Sequence, residues 1–201
     1  MCAVRSIVFD VGSVLVDLDY RPLLNLFRAH GLAYDSKPHL LEMLQLDPYE
    51  KGEISDDQFL RHVASLLLVP AEPEAIREAW LGIFSPVPSM LQYARALCNQ
   101  MPVYLLSNTS PLHWSYVCRT YELSKLSHGC IASHDVGCRK PEAGIYRAAE
   151  AKFDLVPDET VFVDDIEENV NGARACGWHG VHHTGVETTQ DALRRLGVEV
   201  Q

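Results

Sequence analysis

The sequence lacks the positive charge that a polyanion binder needs. Its 201 residues carry 17 Lys and Arg against 27 Asp and Glu, a formal net charge of −10. Nucleic acids and anionic membranes are met by basic patches, so this balance argues against both as partners. No stretch approaches the roughly eighteen apolar residues of a membrane span. The apolar run from Ser6 to Val16 is broken by Asp10 and preceded only by Arg5, unlike a secretory leader. The six cysteines, Cys2, Cys98, Cys118, Cys130, Cys138 and Cys176, include no Cys-x-x-Cys pair. A chain of this length buries enough core to fold without disulfide staples, so they read as reduced, packed thiols and the protein as cytoplasmic. Neither GxxxxGK[ST] nor GxGxxG occurs, which removes nucleotide cradling by a glycine loop. Internal repeats and low-complexity tracts are also missing.

What remains is an ordinary globular composition, 47% hydrophobic and 22% charged, sized for one domain or a domain with a modest insertion. Ser6-Ile-Val-Phe-Asp10 is a short β-branched run ending in a carboxylate, the pattern of a strand buried on both faces. Met101-Pro-Val-Tyr-Leu-Leu-Ser107 repeats the design and ends in Ser107 and Asn108. Thr160-Val-Phe-Val-Asp164 repeats it again and ends in Asp164 and Asp165, and Gly180-Val-His-His183 is a weaker strand. Helical patterns run over Val87–Asn99, Pro141–Lys152 and Glu167–Cys176, the last stopped by Gly177. Strands alternating with helices predict an α/β fold with a parallel sheet covered on both faces.

The stretch from about Asp17 to Phe84 differs, because it offers no convincing strand. Leu23, Leu24, Phe27, Phe59, Val63, Leu66 and Leu67 recur at helical spacing, and Ser55-Asp-Asp-Gln58 reads as a capping box. A crossover between neighbouring parallel strands takes roughly 30 residues. About ninety separate Asp10 from Val103. The surplus predicts a helical subdomain inserted after the first strand: residues 17–84 as the insertion, residues 1–16 and 85–201 as the core.

In an open parallel sheet, functional side chains gather at the carboxyl ends of strands. Asp10, Ser107 with Asn108, and Asp164 with Asp165 occupy three such ends, and Lys140 lies in Gly137-Cys-Arg-Lys-Pro141. A single strand-end Asp is as readily a helix cap, but three polar ends and a lysine together point to chemistry. Carboxylates suit Mg²⁺, and a carboxylate is also a nucleophile able to form an aspartyl-phosphate. Lysine, hydroxyl and amide donors suit the equatorial oxygens of a transferring phosphoryl group.

Ile7-Val-Phe-Asp-Val-Gly-Ser-Val-Leu15, Leu105-Leu-Ser-Asn-Thr109, Ser133 to Glu142 with Ile145-Tyr146, and Val161-Phe-Val-Asp-Asp-Ile166 resemble, in order and spacing, the four motifs of the haloacid dehalogenase superfamily. Their wording, with Gly52-Glu-Ile-Ser55, is most similar to the bacterial α-D-glucose-1-phosphate phosphatases. The resemblance implies a Rossmann-like core with an inserted helical C1 cap. It also implies hydrolysis of a small phosphorylated metabolite, such as a hexose 1-phosphate, by a Mg²⁺-dependent phosphatase. In that reading Asp10 is nucleophile and Mg²⁺ ligand, Ser107 and Asn108 bind substrate, Lys140 stabilises developing charge, Gly12 gives a backbone carbonyl to the metal, Asp165 ligates it and Asp164 supports that shell.

Gly12 departs from the commonest pattern, in which a second Asp serves as general acid and base. Such help is worth roughly 10²–10⁴-fold. Its loss predicts a preference for good leaving groups, anomeric or aryl, unless the cap supplies another acid, Asp17 and Asp19 being first candidates. It also raises the alternative of a binding or regulatory protein that keeps the fold and has lost turnover. Dehalogenation on carbon would need no Mg²⁺. His179, His182 and His183 resemble no zinc ligand set. Cys138 reads as an ordinary loop thiol. Trp80 and Phe84 read as helix packing.

Overall fold

The computed structural model describes residues 3–200; Cys2 lies outside them. Five strands form a parallel sheet: β1 (Ser6–Phe9), β4 (Val103–Ser107), β5 (Gly129–Ala132), β6 (Thr160–Asp164) and β7 (His179–His182), in the order β5-β4-β1-β6-β7. Neighbours run in register, Ile7 against Val103 on one side and Val161 on the other. The alternating side chains sort into two cores. Ile7, Phe9, Val103, Leu105, Val161 and Val163 face Met90, Ala94 and Leu97 of α6 (Pro88–Cys98), Val117 of α7 (Pro111–Thr120) and Leu193 of α11 (Val186–Arg195). Val8, Leu106, Ile131 and Phe162 face Ile145, Tyr146 and Ala149 of α9 (Ala143–Phe153) and Ala173 of α10 (Glu167–Ala175). Burial on both faces is why these strands read as continuous apolar runs.

The chain builds β1, β4 and β5 outward in one direction, then returns to add β6 and β7 on the other side of β1. The order reverses between β1 and β6, where an open α/β sheet leaves a crevice at its carboxyl edge. Asp10 follows the end of β1, and Asp164 ends β6.

Two short strands were not legible in the sequence. β2 (Val16–Leu18) and β3 (Phe84–Pro86) pair antiparallel, Asp17 against Ser85, so the 17–84 stretch contains strand at both of its ends. Between them lie α1 (Arg21–Ala29), α2 (Lys37–Met43), α3 (Leu46–Glu50), α4 (Asp56–Leu66) and α5 (Pro73–Leu81). These helices share their own core of Leu23, Phe27, Tyr49, Phe59, Val63, Ile76 and Trp80. Ser55 closes the expected capping box with Gln58 at the start of α4. The helical layer leaves and rejoins the sheet through one two-stranded ribbon and is therefore a cap. β5 was also missed: four residues opened by glycine carry no period.

The cap rests on the sheet edge at a few tight points. Gly52 (φ +74°) lies so close to the core that an added Cβ would meet the His134 carbonyl oxygen at 2.5 Å. Only glycine fits there, in conformation and in space. Trp80 of α5 stacks on His113 of α7, ring centroids 4.3 Å apart, and His113 Nε2–H donates to the Trp80 carbonyl at 2.8 Å. Burial lowers the His113 pKa from 6.5 to about 4, so the fold holds a neutral ring. The unfolded chain takes up that proton near pH 6.5, the native state only near pH 4; stability is full above 6.5 and drains as pH falls through this window. Between pH 7 and pH 5 the wild type is expected to lose about 2 kcal/mol more than His113→Gln. Urea unfolding of both proteins at the two pH values measures this. Equal losses would show that the histidine carries no such linkage.

Candidate active site

The turn after β1 places its side chains by backbone hydrogen bonds. Asp10 N–H donates to Val163 O on β6 (2.9 Å), Ser13 N–H to Val16 O (2.7 Å) and Val16 N–H to Val11 O (3.0 Å). Asp10 is thereby fixed between β1 and β6 and buried, as is Lys140. Lys140 Nζ lies 2.7 Å from Asp10 Oδ1 and 2.7 Å from Asp164 Oδ2. One buried ammonium between two carboxylates is itself compensated but leaves one negative charge unbalanced. Burial opposes the lysine charge, but the two carboxylates outweigh it and push its pKa up. Burial raises the Asp10 pKa to about 7; Lys140 opposes this and the charge of Asp164 adds to it.

Asp164 is fully enclosed. Its Oδ1 accepts from Ile166 N–H (2.8 Å) and Asn169 Nδ2 (3.0 Å), and its Oδ2 from Lys140 and Asn169 (2.7 and 3.1 Å). Asp165 is half-buried, beside Ser13, with its pKa raised by burial and by Asp164. Its carbonyl is tied to His182 Nε2 at 2.9 Å. Carboxylate oxygens of Asp10, Asp164 and Asp165 lie within 4.8 Å of one another. Three carboxylates around one ammonium, two of them with raised proton affinity, make a pocket short of positive charge. A hard, all-oxygen donor set fits Mg²⁺.

Ser107 ends β4, buried, on the wall of the same cavity. Asn108 lines it too, but its side chain is engaged with the backbone of Lys140. Its Oδ1 accepts from Lys140 N–H (2.8 Å), and its Nδ2 donates to Lys140 O (2.9 Å). Asn108 thus positions the lysine, a different contact from the substrate binding expected of it. Gly12 lines the cavity without a positive φ, and an added Cβ would meet Leu18 at 3.4 Å. The backbone therefore tolerates a side chain there.

The sheet edge and cap enclose a cavity of about 270 Å³. Its floor is Asp10, Ser107, Asn108, Lys140 and Asp165; its roof includes Tyr20, Lys37, Leu41, Leu46, Glu50 and Trp80. Glu50, Arg139 and Asn169 line it as well and went unassigned in the sequence. Arg139, next to Lys140, reaches Asp47 Oδ1 (2.7 Å) and Glu50 Oε2 (2.8 Å) on α3. Its place in the quoted motif was visible, but its partners, some ninety residues away, were not. Asn169, in the first turn of α10, offered no signal beyond proximity to Asp164.

Asp19 is bound through both oxygens to Arg21 and held charged; Asp17 is exposed on β2. Neither lines the cavity, which corrects their choice as replacement acids. One ring nitrogen of each of His179, His182 and His183 bonds Asp158 O, Asp165 O and Thr189 Oγ1 respectively. Among the described residues the five cysteines are free, and burial raises the Cys138 pKa, against a reactive thiolate. Trp80 packs on α5 as expected, Phe84 lies on strand β3 rather than a helix, and both wall the cavity. No helix of the described residues is long and apolar enough to cross a membrane.

Comparison with known proteins places this geometry in a family. Residues 4–177 match the haloacid dehalogenase-like hydrolase model. The chain is 32% identical over 185 residues to D-ribitol-5-phosphate phosphatase of Bacteroides thetaiotaomicron, covering 87% of this chain and 89% of that protein. It is 27% identical to the sesquiterpene phosphatase astK of Aspergillus oryzae over 98% of both. Among solved structures it resembles the HAD family enzyme bt-2542 of Bacteroides thetaiotaomicron in complex with magnesium and inorganic phosphate, with a TM-score of 0.79 and 26% identity over 90% of this chain and 94% of that one. With its strand-end carboxylates at the reversal point of a parallel sheet and a helical cap over them, the chain belongs to the haloacid dehalogenase-like hydrolase family and is a hydrolase.

Proposed function

We propose that this chain is a Mg²⁺-dependent phosphatase that cleaves a small phosphate monoester through an aspartyl-phosphate on Asp10. The observation that carries the reading is the buried Lys140 bridging Asp10 and Asp164, with Asp165 open to the same cavity. Asp10, Asp165 and the Gly12 carbonyl would hold Mg²⁺. Bound there, the ion would neutralise charge between the anionic nucleophile and an anionic ester. Lys140 sets the Asp10 carboxylate in place and offers positive charge to the phosphoryl oxygens. Ser107 donates from the same floor. Asp164 orients Lys140, and Asn108 fixes the peptide that carries it. The cap excludes water from the reacting atoms.

A sugar or polyol phosphate is the first substrate class, a hexose 1-phosphate by motif wording and a pentitol phosphate by the ribitol-phosphate relative. A second class is favoured by a different observation. The catalytic cavity adjoins an apolar chamber of about 190 Å³ in the cap, lined by Leu23, Leu24, Leu40, Leu44 and Tyr34, and the two share Tyr20, Lys37, Leu41, Leu46 and Trp80. An ester with an apolar tail would fill it, in keeping with the sesquiterpene phosphatase relative.

Hydrolysis of p-nitrophenyl phosphate with Mg²⁺, and its loss in EDTA, tests the reading. No turnover would support the alternative of a binding protein; turnover indifferent to EDTA would rule out the metal. The two β6-end aspartates should separate. Asp165→Ala is expected to raise the Mg²⁺ needed for half-maximal rate by roughly tenfold or more, with stability changed by less than about 1 kcal/mol. Asp164→Ala is expected to lower stability by about 2–4 kcal/mol, because Asn169 Nδ2 and Ile166 N–H lose their acceptor. Mg²⁺ titration and urea unfolding of both variants check this; the opposite pattern would exchange their roles.

A further inference from the structure

Cleaving an alkyl phosphate leaves an alkoxide that needs a proton, and Gly12 has none to give. Three carboxyl groups line the cavity among the described residues: Asp10, Asp165 and Glu50. The first two serve as nucleophile and metal ligand in the proposed phosphatase, and the role of Glu50 rests on that reading. His113 is committed through Nε2–H to Trp80, and Lys140 is paired twice. Glu50 is the one carboxyl that the cap contributes, and neither the nucleophile nor the metal needs it.

Its position is built from behind. Glu50 ends α3, and its carbonyl accepts from Ser133 Oγ at 2.6 Å; Ser133 Oγ in turn accepts from Thr109 N–H at 2.9 Å, two residues beyond Ser107. Two residues later Gly52 sits against His134, so the backbone is pinned to the sheet edge. The side chain is 12% exposed. Oε2 is ion-paired with Arg139 Nη2 at 2.8 Å, a contact that falls outside hydrogen-bond alignment. The charged and titratable groups around Glu50 are Arg139, Asp47, Lys140 and Tyr20. Burial raises its pKa, Asp47 adds to this, and Arg139 and Lys140 oppose it.

We propose that Glu50 is the general acid and base of this site, replacing the side chain that Gly12 lacks. As an Asp10 oxygen bonds to phosphorus, the phosphorus–ester oxygen bond breaks, and the Glu50 proton goes to the departing oxygen, releasing a neutral alcohol. Water then attacks the phosphorus of the aspartyl-phosphate. The bond from phosphorus to Asp10 breaks, and the Glu50 carboxylate takes the proton of the water. Inorganic phosphate leaves, with Asp10 ionised and Glu50 protonated as at the start.

The test uses kcat/KM with Mg²⁺ over monoesters graded from aryl to alkyl leaving groups, for wild type, Glu50→Gln and Asp47→Asn. If no ester is turned over by the wild type, the phosphatase reading fails, and the assignment of Glu50 with it. Given turnover, Glu50→Gln should lose roughly 10²–10³-fold more on alkyl than on p-nitrophenyl phosphate, and its alkyl pH profile should lose the basic limb. The ratio of alkyl to aryl rates within one variant does not depend on how much of it folds. Asp47→Asn removes one Arg139 partner but keeps the Glu50 carboxyl, and should keep the wild-type dependence on leaving-group pKa. Equal losses on all esters in Glu50→Gln would make Glu50 a tether between cap and Arg139 and overturn the proposal. A steep dependence already present in the wild type would do the same.

Discussion

Asp10→Asn is expected to reduce phosphatase turnover by roughly 10⁴-fold or more, the scale on which loss of a covalent nucleophile registers. The amide is a poor nucleophile and a poor Mg²⁺ ligand, so both roles proposed for Asp10 would fail at once. Geometry should survive. Asp10 is held by its own N–H to Val163 O, and asparagine fills the same volume. The variant also leaves Lys140 with one full carboxylate partner, Asp164, so the buried pair stays neutral. A folded variant with normal unfolding in urea and a rate above a few per cent of wild type would contradict a covalent role for Asp10.

Lys140→Met should have the largest effect on stability. The ammonium is buried between Asp10 and Asp164, and methionine leaves two enclosed carboxylates facing each other. Breaking a buried pair in this way costs about 3–5 kcal/mol. The loss should depend on pH when Mg²⁺ is removed with EDTA. Asp10 already has its pKa raised to about 7 by burial, and removal of the ammonium raises it further. A carboxyl with a raised folded pKa contributes stability below its unfolded value near 3.8, and that contribution is lost as pH rises through the folded value. The deficit of Lys140→Met is therefore expected to be greatest above pH 7 and to shrink toward pH 5. Urea unfolding at pH 8 and pH 5 reads it. A variant within about 1 kcal/mol of wild type at pH 8 would mean that the lysine contributes little to holding the carboxylates.

The polar floor of the cavity was legible because a parallel sheet advertises it. Asp10, Ser107 and Asp164 each close an apolar run, and polar groups in such places have few structural reasons to be there. The roof was not. Glu50 and Arg139 are 89 residues apart in sequence and meet only because the cap folds back over the sheet. The pairing of Trp80 with His113 joins cap and core in the same way. The ribbon of β2 and β3 escaped because Val16-Asp-Leu18 and Phe84-Ser-Pro86 are too short to show a period, and proline weakens the second as a strand. Asp164 was foreseen as a supporting group. The density of its hydrogen bonds, which moves its expected effect from metal affinity to stability, depends on Asn169 and could come only from the fold.

Local sequence does not locate a replacement for the acid that Gly12 lacks. Asp17 and Asp19 were candidates because they follow the first strand closely. Their neighbours Leu18 and Tyr20 line the cavity, but Asp17 and Asp19 do not, and Arg21 holds Asp19. Gly12 itself admits a side chain, since its φ is not positive and its nearest neighbour is the flexible end of Leu18. The glycine is therefore not demanded by the backbone, and the absence of an acid at this position is a chemical feature of the site.

In the proposed mechanism, phosphorus passes through a covalent bond to Asp10. Acid quenching of the wild-type enzyme during Mg²⁺-supported turnover of a ³²P-labelled monoester detects that bond. A covalent aspartyl-phosphate predicts protein-bound label that appears at the rate of the first turnover, is released by hydroxylamine as an acyl phosphate, maps to Asp10, and is missing in Asp10→Asn. Phosphate release at full rate with no label on the protein, or label on any residue other than Asp10, would contradict it.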